Sequence, residues 1–219
     1  MCYYESGDFK KAVEFFTHAL SIYKENDHRG DSIALALNNL GNAYKVSGEP
    51  KKSMEYFQEA LKIYQKLYKN GNHPSIALTF NNIGSAFDES HDGEEGKAII
   101  YFKKALDIYN SIYKENNHEE KALVLNNMGL AYRDMKDYKN AEDCFQRSMA
   151  IYKALYGPSN KDVAKCLNNL GLVYEDSNQD AKAIEYLKNA ISMYNEVYGT
   201  KTPNLAVSQC YYNSGKLDI

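Results

Sequence analysis

Any chemistry in this sequence would have to start from five histidines, four cysteines or a recurring pair of asparagines. His18, His28, His73, His91 and His118 stand apart from one another. None pairs with a cysteine, an aspartate or a second histidine at the HxxxH or HExxH spacing that sets two ligands on one helix face. Cys2, Cys144, Cys166 and Cys210 show no CxxC spacing and read as buried free thiols of a reducing compartment. Gly93 and Gly96 lack the GK[ST] ending of a phosphate loop, and there is no GxSxG. No catalytic residue, metal or cofactor is therefore expected, and the chain reads as a non-enzyme.

The asparagines are more informative. LNNLGNAY at 37–44, FNNIGSAF at 80–87, LNNMGLAY at 125–132 and LNNLGLVY at 167–174 are copies of one phrase, with a decayed fifth, YYNSGKL, at 211–217. The first asparagine falls at 38, 81, 126 and 168, at intervals of 43, 45 and 42 residues. An amide both donates and accepts, so a column of Asn39, Asn82, Asn127, Asn169 and Asn213 could hold the backbone of an extended peptide without reading its sequence. The same amides could instead satisfy neighbouring helices. That second role is the expectation for the preceding column, Asn38, Asn81, Asn126 and Asn168.

The elements that would position these amides follow from a second phrase between the copies: AVEFFTHALSIY, SMEYFQEALKIY, AIIYFKKALDIY, AEDCFQRSMAIY and AIEYLKNAISMY. Self-similarity at a fixed period signals stacked units, none able to bury its apolar face alone. Leu37, Leu40, Gly41 and Tyr44 recur as one helical stripe. SGEP at 47–50 breaks it, with Gly48 suited to a left-handed turn and Pro50 to the first turn of a new helix. That second helix sets Met54, Phe57, Leu61 and Tyr64 on one side, with Ser53 and Ala60 at the closest approach, and Pro74 and Ser75 open the next unit. Tyr23, Tyr64, Tyr109, Tyr152 and Tyr194 hold one repeat position, as core residues would. A mid-helix glycine costs roughly 1 kcal/mol against alanine. Its recurrence at 41, 84, 129, 171 and 215 implies a helix crossing too close for a β-carbon, with Ala12, Ala98, Ala141 and Ala183 as the matching small surface.

The order Leu-Gly-x-x-Tyr, Ala, Phe, Ala resembles the tetratricopeptide repeat (TPR), whose usual unit is about 34 residues. HEAT and armadillo repeats share a period of roughly 40–47 residues but not this small–large pattern. The longer period here, clearest over Leu37–Pro74 and Leu167–Pro203, resembles the extended repeats of kinesin light chains. The resemblance implies an all-α fold, a TPR-type α-α superhelix or right-handed solenoid of antiparallel helix pairs. The expected organisation is a single array over 1–219: a partial repeat 1–30, repeats 31–73, 74–117, 118–159 and 160–202, and a trailing helix 203–219. With no polar capping element at either end, a segment of a longer array is expected.

In such superhelices the first helix of each pair lines the concave surface. A helical wheel sets Leu35, Asn39, Asn42 and Val46 opposite the buried stripe. The candidate peptide-binding residues are therefore Asn39, Asn82, Asn127 and Asn169, with Leu78, Leu123, Leu130 and Leu172 for apolar contact and Glu89, Asp134 and Asp176 for charge. The column resembles the asparagine ladder of some TPR and armadillo arrays, and the acids favour a ligand with apolar anchors and some Lys or Arg. A carboxylate clamp is not expected: Asn38, Asn42, Asn82, Leu123 and Asn127 stand where it would need cations. The basic cargo groove of kinesin light chains is not carried over either, because this groove holds more acid than base.

Bulk properties fit a protein-binding scaffold. Lys+Arg 26 against Asp+Glu 29 gives a net charge of -3, which points to neither nucleic acid nor an anionic membrane. No apolar run reaches the ~18–20 residues of a membrane span, and the start, MCYYESGDFKK, lacks a signal peptide's apolar stretch. Cytoplasm is the expected compartment. The leading expectation is a non-enzymatic adaptor or scaffold that binds a protein or peptide with apolar and basic residues. The alternatives are a regulatory or sensor segment of a larger multidomain signalling protein, and a spacer or oligomerisation module that self-associates.

Overall fold

The computed structural model describes residues 9–25, 30–90 and 95–199. Among these residues there are nine helices and no strand: α1 Phe9–Glu25, α2 Gly30–Val46, α3 Pro50–Leu67, α4 Pro74–Glu89, α5 Glu95–Tyr113, α6 Glu119–Asp134, α7 Tyr138–Tyr156, α8 Lys161–Asp176 and α9 Asp180–Tyr198. The fifth asparagine phrase with Asn213 and Gly215, the trailing helix 203–219, His28, His91, Gly93, Cys2 and Cys210 lie outside the described residues. The helices fall into two compact units, one up to Lys114 with α1–α5 and one from Glu115 with α6–α9.

Helix starts follow local chemistry. Pro50 and Pro74 open α3 and α4, where a missing N–H costs nothing. His73 caps α4 by accepting from the Ser75 N–H through Nδ1, and Asn160 caps α8 by accepting from Asp162 and Val163 through Oδ1.

The turn from first to second helix repeats one backbone device. The Gly48 N–H donates to the Lys45 carbonyl and the Glu49 N–H to that of Tyr44, the double closure of a Schellman turn. The same pair of bonds recurs from Lys136 to Arg133 with Asp137 to Tyr132, and from Asn178 to Glu175 with Gln179 to Tyr174. Glycine marks only the first of these turns. Lys136 and Asn178 take the left-handed position at φ 61° and 58°, and lysine pays the β-carbon penalty there.

Within each repeat the two helices meet at the glycine of the first. A β-carbon on Gly41 would lie 2.5 Å from Cε1 of Phe57, and one on Gly84 2.7 Å from Cε1 of Phe102. On Gly129 it would lie 2.8 Å from Cε1 of Phe145, and on Gly171 2.7 Å from Cγ of Leu187. The crossing is therefore close, as the glycines imply, but its other side is not the expected alanine. A large side chain on the second helix fills the space. Ala98, Ala141 and Ala183, all wholly buried, lie one helical turn earlier in sequence and keep the crossing tight without filling the notch.

Phe57, Ala60 and Tyr64 lie on the buried stripe of α3, and Ala60 and Tyr64 join Leu37, Leu40 and Ile76 in one cluster. In the second unit Tyr152, Val163, Ala164, Cys166 and Tyr194 pack as the corresponding cluster. Tyr64, Tyr109, Tyr152 and Tyr194 are all buried, so this tyrosine position belongs to the core.

Two substitutions test these features by urea denaturation. Gly84→Ala forces a methyl onto the Phe102 ring and is expected to lower stability by about 1–3 kcal/mol, the range for overpacking a filled core. Lys136→Gly relieves a left-handed lysine and is expected to raise stability by about 0.5–1 kcal/mol.

Candidate functional site

The first helices α2 and α4 in one unit, and α6 and α8 in the other, carry the residues singled out in the sequence. Their outward positions differ in exposure. Leu35 is 54% and Leu78 40% exposed. Leu123, Leu130 and Leu172 are half-buried, and Leu130 also packs on the α7–α8 core around Phe145 and Leu170. Lys165 stands at the leucine position in α8 and is exposed.

The two asparagine columns are not separable as the sequence suggests. Asn38, Asn81 and Asn126 are buried, as expected of the flanking column. The Asn38 Nδ2 crosses to the next repeat and donates to Thr79 Oγ1 at 2.9 Å, and that hydroxyl donates to the Ser75 carbonyl at 2.7 Å. In the second unit the Asn169 Nδ2 donates to Asn126 Oδ1 at 2.9 Å, and Asn126 Nδ2 reaches Asn127 Oδ1 at 3.5 Å. Asn169 is thus buried and committed to stacking, and Asn127 is tied to the same chain of amides. Asn39 is half-buried, and Asn82 is buried on the same outward side of α4.

The acids are equally mixed in role. Glu89 pairs with Lys45 at 3.2 Å, and Asp176 with Arg133 at 2.5 Å. Each pair runs from the first helix of one repeat to the first helix of the next. Asp134 is exposed. Asp88 and Glu175, one residue earlier, are half-buried, and one carboxylate oxygen of each is shut off from solvent.

Two further features carried no sequence signal strong enough to be singled out. The Tyr68 hydroxyl at the end of α3 donates to Asp31 at the start of α2 at 2.7 Å, and Tyr156 makes the same bond to Glu119 at 2.7 Å. Hydrogen bonding to Asp31 pushes the Tyr68 phenol up to about 12, because its phenolate would face a carboxylate. Each tyrosine also stacks on the core tyrosine one turn back, at 6.2 Å for Tyr64 and 6.4 Å for Tyr152. A signal existed in the acid opening α2 and α6 and the Leu-Tyr closing α3 and α7. The second feature is an aromatic pair roofed by a lysine: Tyr44 with Tyr56 under Lys52, Phe87 with Tyr101 under Lys97, and Tyr174 with Tyr186 under Lys182. The third repeat has Cys144 and Asn140 at the tyrosine and lysine positions, so both partners change together.

Cys166, His73 and His118 each make local contacts. Cys166 donates to Ser148, which donates to the Ala122 carbonyl, and burial pushes the Cys166 thiol up to about 11. His73 is a cap stacked on Tyr68, and His118 precedes α6 in contact with Glu120. Among the described residues no cluster of three or more His, Cys, Asp or Glu could hold a metal, and no helix is long and apolar enough to cross a membrane.

Helix pairs closed on a glycine notch, with core tyrosines and a recurrent outward face, define a helical-repeat protein. The tetratricopeptide repeat profile matches residues 32–111 and 120–196, and a second tetratricopeptide profile matches residues 1–26. The chain belongs to the tetratricopeptide repeat family. Its structural relatives are kinesin light chain-like repeat proteins. BtubC (BKLC) from P. vanneervenii has a TM-score of 0.78 at 18% identity, covering 95% of this chain and 82% of that one. A Podosopora anserina protein assigned as a kinesin light chain with nearly identical TPR-like repeats has a TM-score of 0.69 at 17% identity, covering 91% and 92%. A point-substituted form of that fungal protein has a TM-score of 0.71 at 17% identity, covering 89% and 90%. At these identities the likeness shows the fold, all-α and built from TPR-type helix pairs. No curated protein sequence matches the chain. Repeats of this family generally mediate protein–protein interaction.

Asn126→Ala is expected to cost about 1–3 kcal/mol, because it strands the buried Asn169 donor. Asn42→Ala, at a half-buried outward position of α2, is expected to change stability by no more than about 0.5 kcal/mol. Chemical denaturation of both variants checks the contrast.

Proposed function

We propose that the chain is a non-enzymatic protein–protein interaction scaffold whose first-helix faces bind an extended segment of a partner. The observation that carries this reading is the pair Leu35 and Leu78. These are exposed aliphatic side chains at the same position on successive first helices of one unit, with Asn39 and Asn82 one turn further along each helix. A lone exposed leucine is ordinary, but apolar groups that recur in register on one face build the contiguous patch that marks an interaction site. The amides offer both a donor and an acceptor to a peptide backbone. In the second unit Leu123, Asn127, Leu130 and Leu172 provide the equivalent surface, and Asn169 supports it from beneath through Asn126. Cytoplasmic residence and a partner segment containing apolar residues complete the proposal.

Random-peptide display against the whole chain, run in parallel on the Leu35→Ala, Leu78→Ala, Asn82→Ala triple variant, tests it. Asn127 is left intact because its carbonyl accepts from Asn126. Enriched peptides are expected to bind the variant more weakly by about 2–4 kcal/mol, the sum of lost aliphatic burial and one paired amide, with helicity and melting nearly unchanged. If no peptide is enriched on the wild type, weight moves to self-association or a regulatory role. If peptides bind wild type and variant equally, this face is not the site.

A further inference from the structure

The acids on the outward face suggest a basic ligand in the sequence, yet the structure supplies two of them with cations of its own. Lys45 and Arg133 occupy the same repeat position in the first and third repeats, and each reaches the acid at the next position of the following repeat. Their side chains are held down, 19% and 24% exposed, while the acids stay reachable at 49% and 37%. The cations are thus packed as fixed counter-charges. A Lys or Arg arriving on a ligand would meet a carboxylate whose field is already cancelled by a neighbour covalently tethered beside it.

In the unit of α2 and α4, Glu89 is the only charged residue among the outward positions Leu35, Asn39, Asn42, Val46, Leu78, Asn82, Ser85 and Glu89. Once Lys45 cancels it, aliphatic and neutral polar groups remain. In the unit of α6 and α8, Asp176 is cancelled by Arg133, leaving Asp134 and Lys165, one of each sign. Asp88 and Glu175 lie on the flank, each with one oxygen closed to water.

Resting on the peptide-binding reading above, we infer that Lys45 and Arg133 are specificity-determining residues: by cancelling Glu89 and Asp176 they select an extended partner segment with aliphatic side chains and no basic requirement. Recognition is then driven by apolar burial and backbone amide bonds, which salt screens little.

The test uses the whole chain and peptides enriched on it by random display. Wild-type peptides are expected to carry aliphatic residues without an excess of Lys or Arg, and their affinity to change less than about threefold between about 0.05 and 0.5 M NaCl, as uncharged contacts require. Lys45→Met with Arg133→Met keeps the apolar stems and frees both acids. It is expected to shift selection toward Lys- and Arg-containing peptides whose affinity falls about tenfold or more over the same salt range. The charge-swapped chain, Lys45→Glu with Glu89→Lys and Arg133→Asp with Asp176→Arg, is expected to return to the wild-type preference, which separates a charge effect from damage to the fold. Basic, salt-sensitive peptides on the wild type would overturn the inference and leave peptide binding standing, and so would an unchanged preference in the Met variant. Failure to enrich any peptide on the wild type would overturn both.

Discussion

Everything in this molecule depends on a glycine lying under a large side chain. With hydrogen at that position on the first helix, the second helix brings Phe57, Phe102, Phe145 or Leu187 down onto bare backbone. A glycine inside a helix weakens that helix, so the contact is a trade of local propensity for tertiary packing. The consequence reaches beyond the pair. A fixed crossing fixes which side of the first helix turns inward and therefore which side turns out. Leu35, Asn39, Leu78 and Asn82 face outward because Gly41 and Gly84 face inward.

The polar residues divide along the same geometry. Those beside the crossing are buried and spend their hydrogen bonds joining consecutive repeats, as Asn38 does to Thr79 and Asn169 to Asn126. A buried donor left unpaired is costly and a paired one is close to neutral, so these contacts act mainly as registration marks: only the correct stacking pairs the Nδ2 groups of Asn38 and Asn169. The tyrosine–carboxylate bonds at the helix ends lie at the surface, where each adds little alone, whereas the lysine roofs close over aromatic pairs that include the buried Phe87 and Tyr174.

Much of the fold was legible in the sequence because it rests on local periodicities. The stripe of Leu37, Leu40, Gly41 and Tyr44, the break at Gly48 and Pro50, and the recurrent core tyrosines each follow from spacing along one helix. What was not legible depends on backbone geometry or on a partner in another helix, 16 residues away for Gly41 and Phe57 and 43 for Asn126 and Asn169. The glycine notch named its cause correctly but not its occupant, since a Phe and an Ala one helical turn apart are equally good candidates until the crossing angle is known. The left-handed turns at Lys136 and Asn178 carry no glycine to announce them. Asn127 and Asn169 share a column in sequence, yet one accepts from Asn126 and the other donates to it. Glu89 and Asp176 read as available charge only while Lys45 and Arg133 are counted separately.

The side-chain bonds within and between repeats carry a second period that single-repeat alignment hides. Asp31 and Glu119, Lys45 and Arg133, and Tyr68 and Tyr156 are each 88 residues apart, and Glu89 and Asp176 are 87 apart. The tetratricopeptide matches at 32–111 and 120–196 each span two repeats as well. Repeats one and three carry the cation and the tyrosine-bound acid, whereas two and four carry the acid that receives the cation. Removing residues 31–73 alone would strip Glu89 of its cation, and removing 74–117 alone would strip Lys45 of its acid. Excising both together removes the Lys45–Glu89 pair whole, although it also takes Glu59 from Lys24. The charge pairing between first helices thus comes in doublets, one cation and one acid to every two helix pairs.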